Sequence, residues 1–382
     1  MDLTSVVTGV LGYHGGMIAD RVRTDAFRRA IAEVVRPGDV VIDLGAGTGI
    51  LALFACQAGA ARVYAIEAAQ VIHYARELIA ANRAEDRICL VEGSSYDVTL
   101  PEPADVLLSE TLWHFGLGEG IVGAIDDARR RLLAPDARII PRSITLVAAP
   151  IESDAAYAPL ERWAAAGKYD VDLSVLRAHE TNATHQVDAH ESELLAAPKT
   201  LVTLDLARGA NAELDAEVAF EAARDGVLHG LAGWFRAQLS SSVDLTNGPP
   251  RRTTSWTHVL FPMEQPVRVR AGEALTWRLQ TTANGTAWRW RTNVRAQSAG
   301  LRSVASDQST IWAAPSPGSA SARRSAGFRP TLSAEGRIEA FILRQFDGRR
   351  TVSEVEAMAK GEFPTSDRIG DRVRALASRL SE

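Results

Sequence analysis

The sequence predicts a doubly wound parallel α/β domain, then an antiparallel β domain, then a small helical unit at the end of its 382 residues. Three observations carry this expectation. Apolar β-type runs alternate with helical patterns as far as residue 140, which is the signature of strands joined by helical crossovers. Short β-rich stretches with turn residues between them fill 141–300. A stretch rich in Pro and small residues then precedes three amphipathic segments.

The elements follow in order. Phe27, Ala30, Ile31 and Val34 recur at helical spacing on an entry helix. Residues 40–44 form a short buried strand, and 50–58 a helix that stops near Gly59. A strand over 62–67 and a helix over 70–82 come next, then strands over 88–91 and 105–108. After Pro141, β-rich stretches lie at 144–147, 200–206, 217–222, 256–261, 267–270, 275–279 and 288–294. Turn residues such as Asn247-Gly248-Pro249-Pro250 and Asn284-Gly285 separate many of them, so a sandwich or barrel is expected. Between the first two stretches, 154–198 is polar and helical and reads as an insertion or arm. A linker over 301–330 leads to a C-terminal domain over 331–382. In its first helix Ile338, Phe341, Ile342 and Phe346 share a face. Thr351 and Glu354 make a capping box for the second, which carries Val352, Val355 and Met358, and the third shows Ile369, Val373, Leu376 and Leu380.

Composition narrows the function. Lys+Arg 42 against Asp+Glu 47 gives a formal charge of −5, which does not suit a phosphate-neutralising nucleic-acid binder. Two cysteines, Cys56 and Cys89, cannot build a disulfide framework and lack metal-ligand spacing, so a reducing cytoplasm and no metal are expected. The N-terminus has no basic region followed by an apolar core of signal length, and no apolar run is long enough to span a membrane.

Two motifs carry chemistry. In 41–49, Asp43 precedes Gly45, Gly47 and Gly49 where a strand closes and a helix opens; the glycines let the backbone turn tightly and approach a ligand. Nicotinamide enzymes also place glycines there, but Glu67 ends the next strand, where an acid can accept both hydroxyls of a ribose. The combination resembles the binding loop of class I S-adenosylmethionine methyltransferases. The second motif is 109–119, in which Glu110 and Glu119 bracket a loop at the carboxyl edge of the sheet, where open α/β folds bind ligands.

That loop resembles the double-glutamate loop of protein arginine methyltransferases, and residues 13–24, 230–249 and 256–264 continue the likeness over roughly 10–295. The chain is thus similar to a divergent, bacterial-type member of that family. The resemblance implies a Rossmann-like domain that binds S-adenosylmethionine, an antiparallel β-barrel domain, and a helical arm that makes a homodimer. It also implies an arginine substrate, free or in a peptide. Two cations must then meet, and at about 4 Å with an effective dielectric near 20 they repel by roughly 4 kcal/mol. Glu110 and Glu119 are the catalytic pair that offsets this repulsion through paired N–H···O bonds.

By the same resemblance Arg23 binds the cofactor carboxylate, Asp43 with Gly45 and Gly47 the amino-acid end, and Glu67 the ribose. Tyr96 or Asp97 flanks the adenine, and His14 and Met17 line a closing N-terminal segment. His114, Trp256 and Asp20 are the expected substrate-side residues. The chain also departs from the family. Ser255 stands where the barrel domain's Thr-His-Trp has its histidine, usually paired with the aspartate that is Asp20 here. His258 is expected on the surface, on one strand face with Trp256. His114 replaces a usual aromatic, and Gly116, Gly118 and Gly120 lighten the loop, so a pocket of different shape is expected. A natural-product pathway, or another amine or hydroxyl acceptor, fits these departures. The tail from about Phe328 resembles the helical half of peptide-chaperone domains of the pyrroloquinoline-quinone pathway type; packing and peptide recruitment are both open for it.

Overall fold

A computed structural model describes residues 3–163, 171, 173–211, 213–249, 254–282, 287–295, 303–314, 329, 331–332, 334–364 and 369–380. The expected Asn284-Gly285 turn and most of the expected linker lie outside these residues. The chain divides into two compact units, Met1–Ala314 and Pro315–Glu382.

Helices α1 (Leu3–Ala19) and α2 (Arg21–Val34) open the first unit. Asp20 caps α2 by accepting from the Arg23 N–H, and Phe27, Ala30 and Ile31 bury the face that the spacing marks as apolar. Five parallel strands follow: β1 (Val40–Leu44), β2 (Arg62–Glu67), β3 (Ile88–Glu92), β4 (Ala104–Ser109) and β5 (Leu133–Ile140). Their order is β3-β2-β1-β4-β5, so the chain reverses its direction of travel between β1 and β4. That switch point leaves a crevice beyond the carboxyl ends of the strands. Helix α3 (Ile50–Gln57) begins at the glycine turn, with Gly49 at φ 81°.

The remaining strands form two antiparallel sheets. One has the order β7-β12-β10-β6-β8, built from β6 (Ser143–Ile151), β7 (His185–Val187), β8 (Lys199–Asp205), β10 (Gly226–Gln238) and β12 (His258–Val269), with β11 (Asp244–Thr246) on β10. The other is β15-β14-β13-β9, from β9 (Leu214–Glu221), β13 (Ala274–Thr282), β14 (Ala287–Arg295) and β15 (Val304–Ser309). Trp234, Trp277, Trp290, Phe235 and Phe261 fill the core between and around them.

Several expectations are corrected here. The stretches 256–261 and 267–270 belong to the single strand β12, and β10, the most extensively paired strand, was not expected at all. Residues 304–309 are β15, paired along β14 and tied by Arg289 and Arg291 to Asp307, so the linker does not begin at 301. The arm region carries helices α4 (Asp154–Glu161) and α5 (Ser174–Thr181), with β7 returning to pair β12.

The second unit is a three-helix cluster of Ala334–Arg344, Val352–Glu362 and Ile369–Leu380. Ile338, Ile342, Val355, Ala359, Ile369, Val373 and Leu376 are its core, and the Thr351–Glu354 capping box is present. Val352 and Met358, expected on the apolar face, are exposed; Ala359 takes the inward position instead. Among the described residues, no helix is long and apolar enough to cross a membrane.

Candidate active site

A cavity of about 750 Å³ opens at the switch point, under residues 12–18 of α1. The loops after β1, β2, β3 and β4 build its walls, and Ser255 and Trp256 reach it from the antiparallel domain. Most of the residues singled out from the sequence meet there. His14, Met17, Arg23, Gly45, Gly47, Glu67, Tyr96, Glu110, His114, Glu119 and Trp256 all line it.

The glycine turn is a cradle that side chains would fill. Gly45 has φ 74°, and a Cβ on it would lie 2.9 Å from Thr111 Cγ2. Gly47 has φ 56°, and a Cβ there would meet the His14 ring at 3.1 Å. Glu67 accepts from the Gly47 N–H at 2.9 Å and from the Ala69 N–H at 2.7 Å, which fixes its carboxylate at the end of β2. Each oxygen keeps a lone pair for a ligand hydroxyl. Burial lowers the His14 pKa, against the pull of nearby Glu67, so the ring packed on this turn is neutral near pH 7.

Glu110 and Glu119 share the cavity but differ in surroundings. Glu110 is half-buried, with its side chain largely covered, and accepts from Arg23 Nη2. Arg23 also donates from Nη1 to the Met17 carbonyl at 3.1 Å and lies over the Trp256 ring, 5.5 Å from its centroid. Its Nε is buried with no partner among the described residues. Desolvation takes the Arg23 pKa down to about 10, so the group stays cationic at neutral pH. Glu119 lines the cavity with φ 56° and keeps solvent contact; partial desolvation, followed by the charge of Glu67, raises its pKa. A non-glycine residue held in the left-handed region is strained, and such strain concentrates at functional sites.

The loop between the two acids is held from beneath. Phe115 is fully buried, with ring contacts to Phe261 and Trp288, and it packs over Gly233 of β10 so closely that a Cβ there would lie 2.5 Å away. Two of the three loop glycines are packed against neighbours, while a Cβ on Gly120 would meet nothing within 4 Å. A Cβ on Gly116 would meet Ile144 Cγ2 at 2.8 Å, and one on Gly118 would meet Trp113 Cβ at 2.1 Å. Trp113, itself at φ 54°, has moved its bulk into the space that Gly118 leaves.

Four expected residues stand elsewhere or act differently. Asp43 is completely buried below the glycine turn and accepts from the Ala52 N–H at 2.9 Å, so it supports the turn and does not reach the cavity. Asp97 is exposed and outside the lining. Asp20 is spent on α2 and on the Ser255 N–H, which it accepts at 2.5 Å. A backbone donor thus holds one oxygen of this aspartate. His258 is buried, not on the surface: Nδ1 accepts from the Ala189 N–H at 3.0 Å and Nε2 donates to the Asn247 carbonyl at 2.7 Å. Trp256 precedes β12, so the expected shared strand face does not exist.

Sequence reasoning missed Tyr13, which lines the cavity and whose hydroxyl pKa is raised by partial desolvation and by Glu119, although much of the residue stays exposed. Its spacing to Met17 was the available signal, because residues four apart share a helix face. Thr111, Trp113 and Ser255 were also missed as wall residues.

Comparison with known proteins gives a consistent picture. Residues 142–294 match the arginine methyltransferase oligomerization subdomain, and residues 20–114 match the TRM5/TYW2 methyltransferase domain. The chain is 34% identical over 292 residues to the probable histone-arginine methyltransferase 1.4 of Arabidopsis thaliana, covering 72% of this chain and 55% of that protein. It is 30% identical over 291 residues to the histone-arginine methyltransferase CARMER of Drosophila grimshawi, covering 72% and 53%. The chain therefore spans about half the length of the curated relatives it matches. Among solved structures it is similar to the Trypanosoma brucei PRMT1 enzyme-prozyme heterotetrameric complex with AdoHcy, with TM-score 0.71 and 26% identity over 78% of this chain and 98% of that one. The Arabidopsis thaliana protein arginine methyltransferase 10 gives a TM-score of 0.66 at the same identity and coverage.

Proposed function

The chain belongs to the protein arginine methyltransferase family, and from that premise we propose that it moves a methyl group from S-adenosylmethionine to a guanidinium nitrogen of arginine, free or within a peptide. The observation that carries this reading is the charge of the cavity wall. Glu67, Glu110 and Glu119 stand against the single arginine Arg23 among the lining residues, an excess of two negative charges. Two cations, a sulfonium and a guanidinium, need such an excess to approach one another. A neutral hydroxyl acceptor does not.

S-adenosylmethionine, when bound, supplies an electrophilic methyl group on a sulfonium. The chain's own residues fit it: a glycine turn that leaves room for close approach, the fixed Glu67 carboxylate for the ribose, and Arg23, whose Nε has no partner among the described residues, for the carboxylate. Gly45 and Gly47 hold the amino-acid end, Tyr96 flanks the adenine, and His14 with Met17 closes over both. Glu110 and Glu119 grip the guanidinium through charge-assisted hydrogen bonds and hold one nitrogen in line for attack. Alkylation makes that nitrogen more acidic. Glu119, a carboxylate whose pKa its surroundings raise, is the base better suited to take the proton.

The oligomerization-subdomain match over 142–294 supports a homodimer built through the 154–198 arm. Cys56 and Cys89 are free thiols and suit a reducing cytoplasm. A specialised or natural-product pathway is the setting assigned, because His114 and Ser255 depart from the family pattern at the substrate side. The test is turnover with S-adenosylmethionine on free arginine and on an arginine peptide, read by mass spectrometry. A methyl gain on either guanidinium supports the reading; methylation of neither overturns it.

A further inference from the structure

Between the two glutamates, His114 is half-buried and lines the cavity. Its Nδ1 accepts from the Thr257 N–H at 2.9 Å and lies 3.0 Å from Thr257 Oγ1. A backbone N–H can only donate, so Nδ1 must offer its lone pair and carry no proton. In the neutral ring the proton then sits on Nε2. Desolvation keeps the ring neutral by lowering its pKa.

The ring is not free to turn over. Asn247 is buried and donates from Nδ2 to the His114 carbonyl at 2.9 Å and to the Thr257 carbonyl at 2.7 Å, while its Oδ1 accepts from the Phe235 N–H at 3.0 Å. One asparagine thereby locks both partners of the Nδ1 contact to β10. The Trp113 ring meets His114 edge-on at 5.5 Å and limits it further.

A neutral imidazole fixed in this way has one polar group left for a ligand, the Nε2–H. It cannot accept a proton there and offers nothing to a guanidinium, which is a donor only. Resting on the arginine reading above, we infer that His114 selects substrate by donating from Nε2 to an oxygen acceptor beside the arginine side chain. That acceptor is a peptide carbonyl or the carboxylate of the free amino acid. His114 is therefore a specificity residue, and the two glutamates keep the guanidinium to themselves.

The test compares three guanidines with the full chain: a blocked arginine peptide (carbonyl acceptor), free arginine (carboxylate acceptor) and agmatine (neither). His114→Asn keeps an acceptor for Thr257 but lacks a donor at the reach of Nε2; His114→Phe lacks both. Expected is a fall of about tenfold in the ratio of kcat/KM for the preferred arginine substrate over agmatine, in both variants. Whichever of peptide and free arginine loses more names the acceptor. An unchanged ratio in a folded His114→Asn protein overturns the inference, as does a histidine ¹⁵N spectrum placing the His114 proton on Nδ1. If the unaltered chain methylates no guanidine at all, the arginine reading itself fails and this inference falls with it.

Discussion

Arg23 donates to Glu110, so the arginine of the cavity wall is already paired with one of the two loop acids. The other acid, Glu119, has its charge disfavoured by its surroundings. This asymmetry gives the two glutamates different surroundings, although the sequence presents them as a matched pair. Replacing Glu119 by Gln should lower kcat/KM by about 10²–10³, the range seen when one preorganised stabilising group is removed. Affinity for S-adenosylmethionine should stay within about twofold. Glu110→Gln should lose turnover to a similar extent and cofactor affinity as well, because it releases Arg23. Titration calorimetry beside turnover separates the two; equal cofactor affinity in both variants would contradict the pairing.

The same asymmetry sets the pH dependence. Partial desolvation and the Glu67 charge raise the Glu119 pKa, so this carboxylate takes a proton at a higher pH than an isolated glutamate, for which about 4.3 is usual. Gripping a guanidinium needs the anion. As pH falls, kcat/KM should therefore drop through a limb above the ordinary glutamate range, and Glu119→Gln should lose that limb along with most of its rate. A limb lying at or below the ordinary range would sink the assignment.

Phe115 ties the loop of the two glutamates to a glycine that sequence inspection passes over. A methyl added at Gly233 would lie 2.5 Å from the Phe115 ring, with no space nearby because the ring is completely buried. Gly233→Ala should therefore push the loop and its two glutamates out of register. Overpacking of this kind costs about 1–3 kcal/mol of stability. Turnover should fall at least about tenfold, since small displacements of positioning groups are expensive. Calorimetric cofactor affinity should change much less. Normal turnover in Gly233→Ala would show that the loop is not held by this contact.

That glycine also explains what was legible in the sequence and what was not. The turn at Gly45, Gly47 and Gly49 was readable because all three sit at positive φ, a demand that the backbone itself makes. Strand β10 was not, because Leu228–Phe235 is buried throughout, which erases the alternation that marks a half-exposed strand. Its Gly230 and Gly233 look like turn residues, yet they answer to neighbours distant in sequence: a Cβ at Gly230 would lie 2.6 Å from the Phe261 carbonyl oxygen. Glu110 and Glu119 were found from local pattern. The Arg23 pairing, the burial of His258 and the Nδ1 contact of His114 all depend on residues far apart in the chain, and no spacing encodes them.

Asp20 offers a third kind of test, because its two oxygens serve two elements. One caps α2 at the Arg23 N–H and the other holds the Ser255 N–H. Asp20→Ala should cost about 1 kcal/mol through the lost cap, more with the second contact. It should also weaken cofactor binding, since Arg23 sits in the first turn of the helix that frays. Asp20→Asn keeps an acceptor for one of the two donors and should fall between the extremes. Unaltered cofactor affinity in Asp20→Ala would sever the link from cap to Arg23.

Asp43 makes the most direct prediction about stability. It is completely buried, its Oδ1 has no partner, and desolvation lifts its pKa to about 7, offset in part by the Ala52 N–H and reinforced by Glu67. In the unfolded chain an aspartate titrates near about 3.9. Below that value both states hold the proton and no difference arises. Between it and about 7 the folded chain retains a proton that the unfolded chain has released, so folding stability falls as pH rises through this window. Above about 7 the full cost of a buried charge is present. Asp43→Asn can keep the acceptor for Ala52 and cannot ionise. Its thermal midpoint, measured without ligand, should therefore gain on that of the unaltered chain as pH rises from about 4 to about 8, with each kcal/mol worth about 2–4 °C in a domain of this size. A midpoint difference that does not change with pH would mean that Asp43 does not hold its proton in the folded chain.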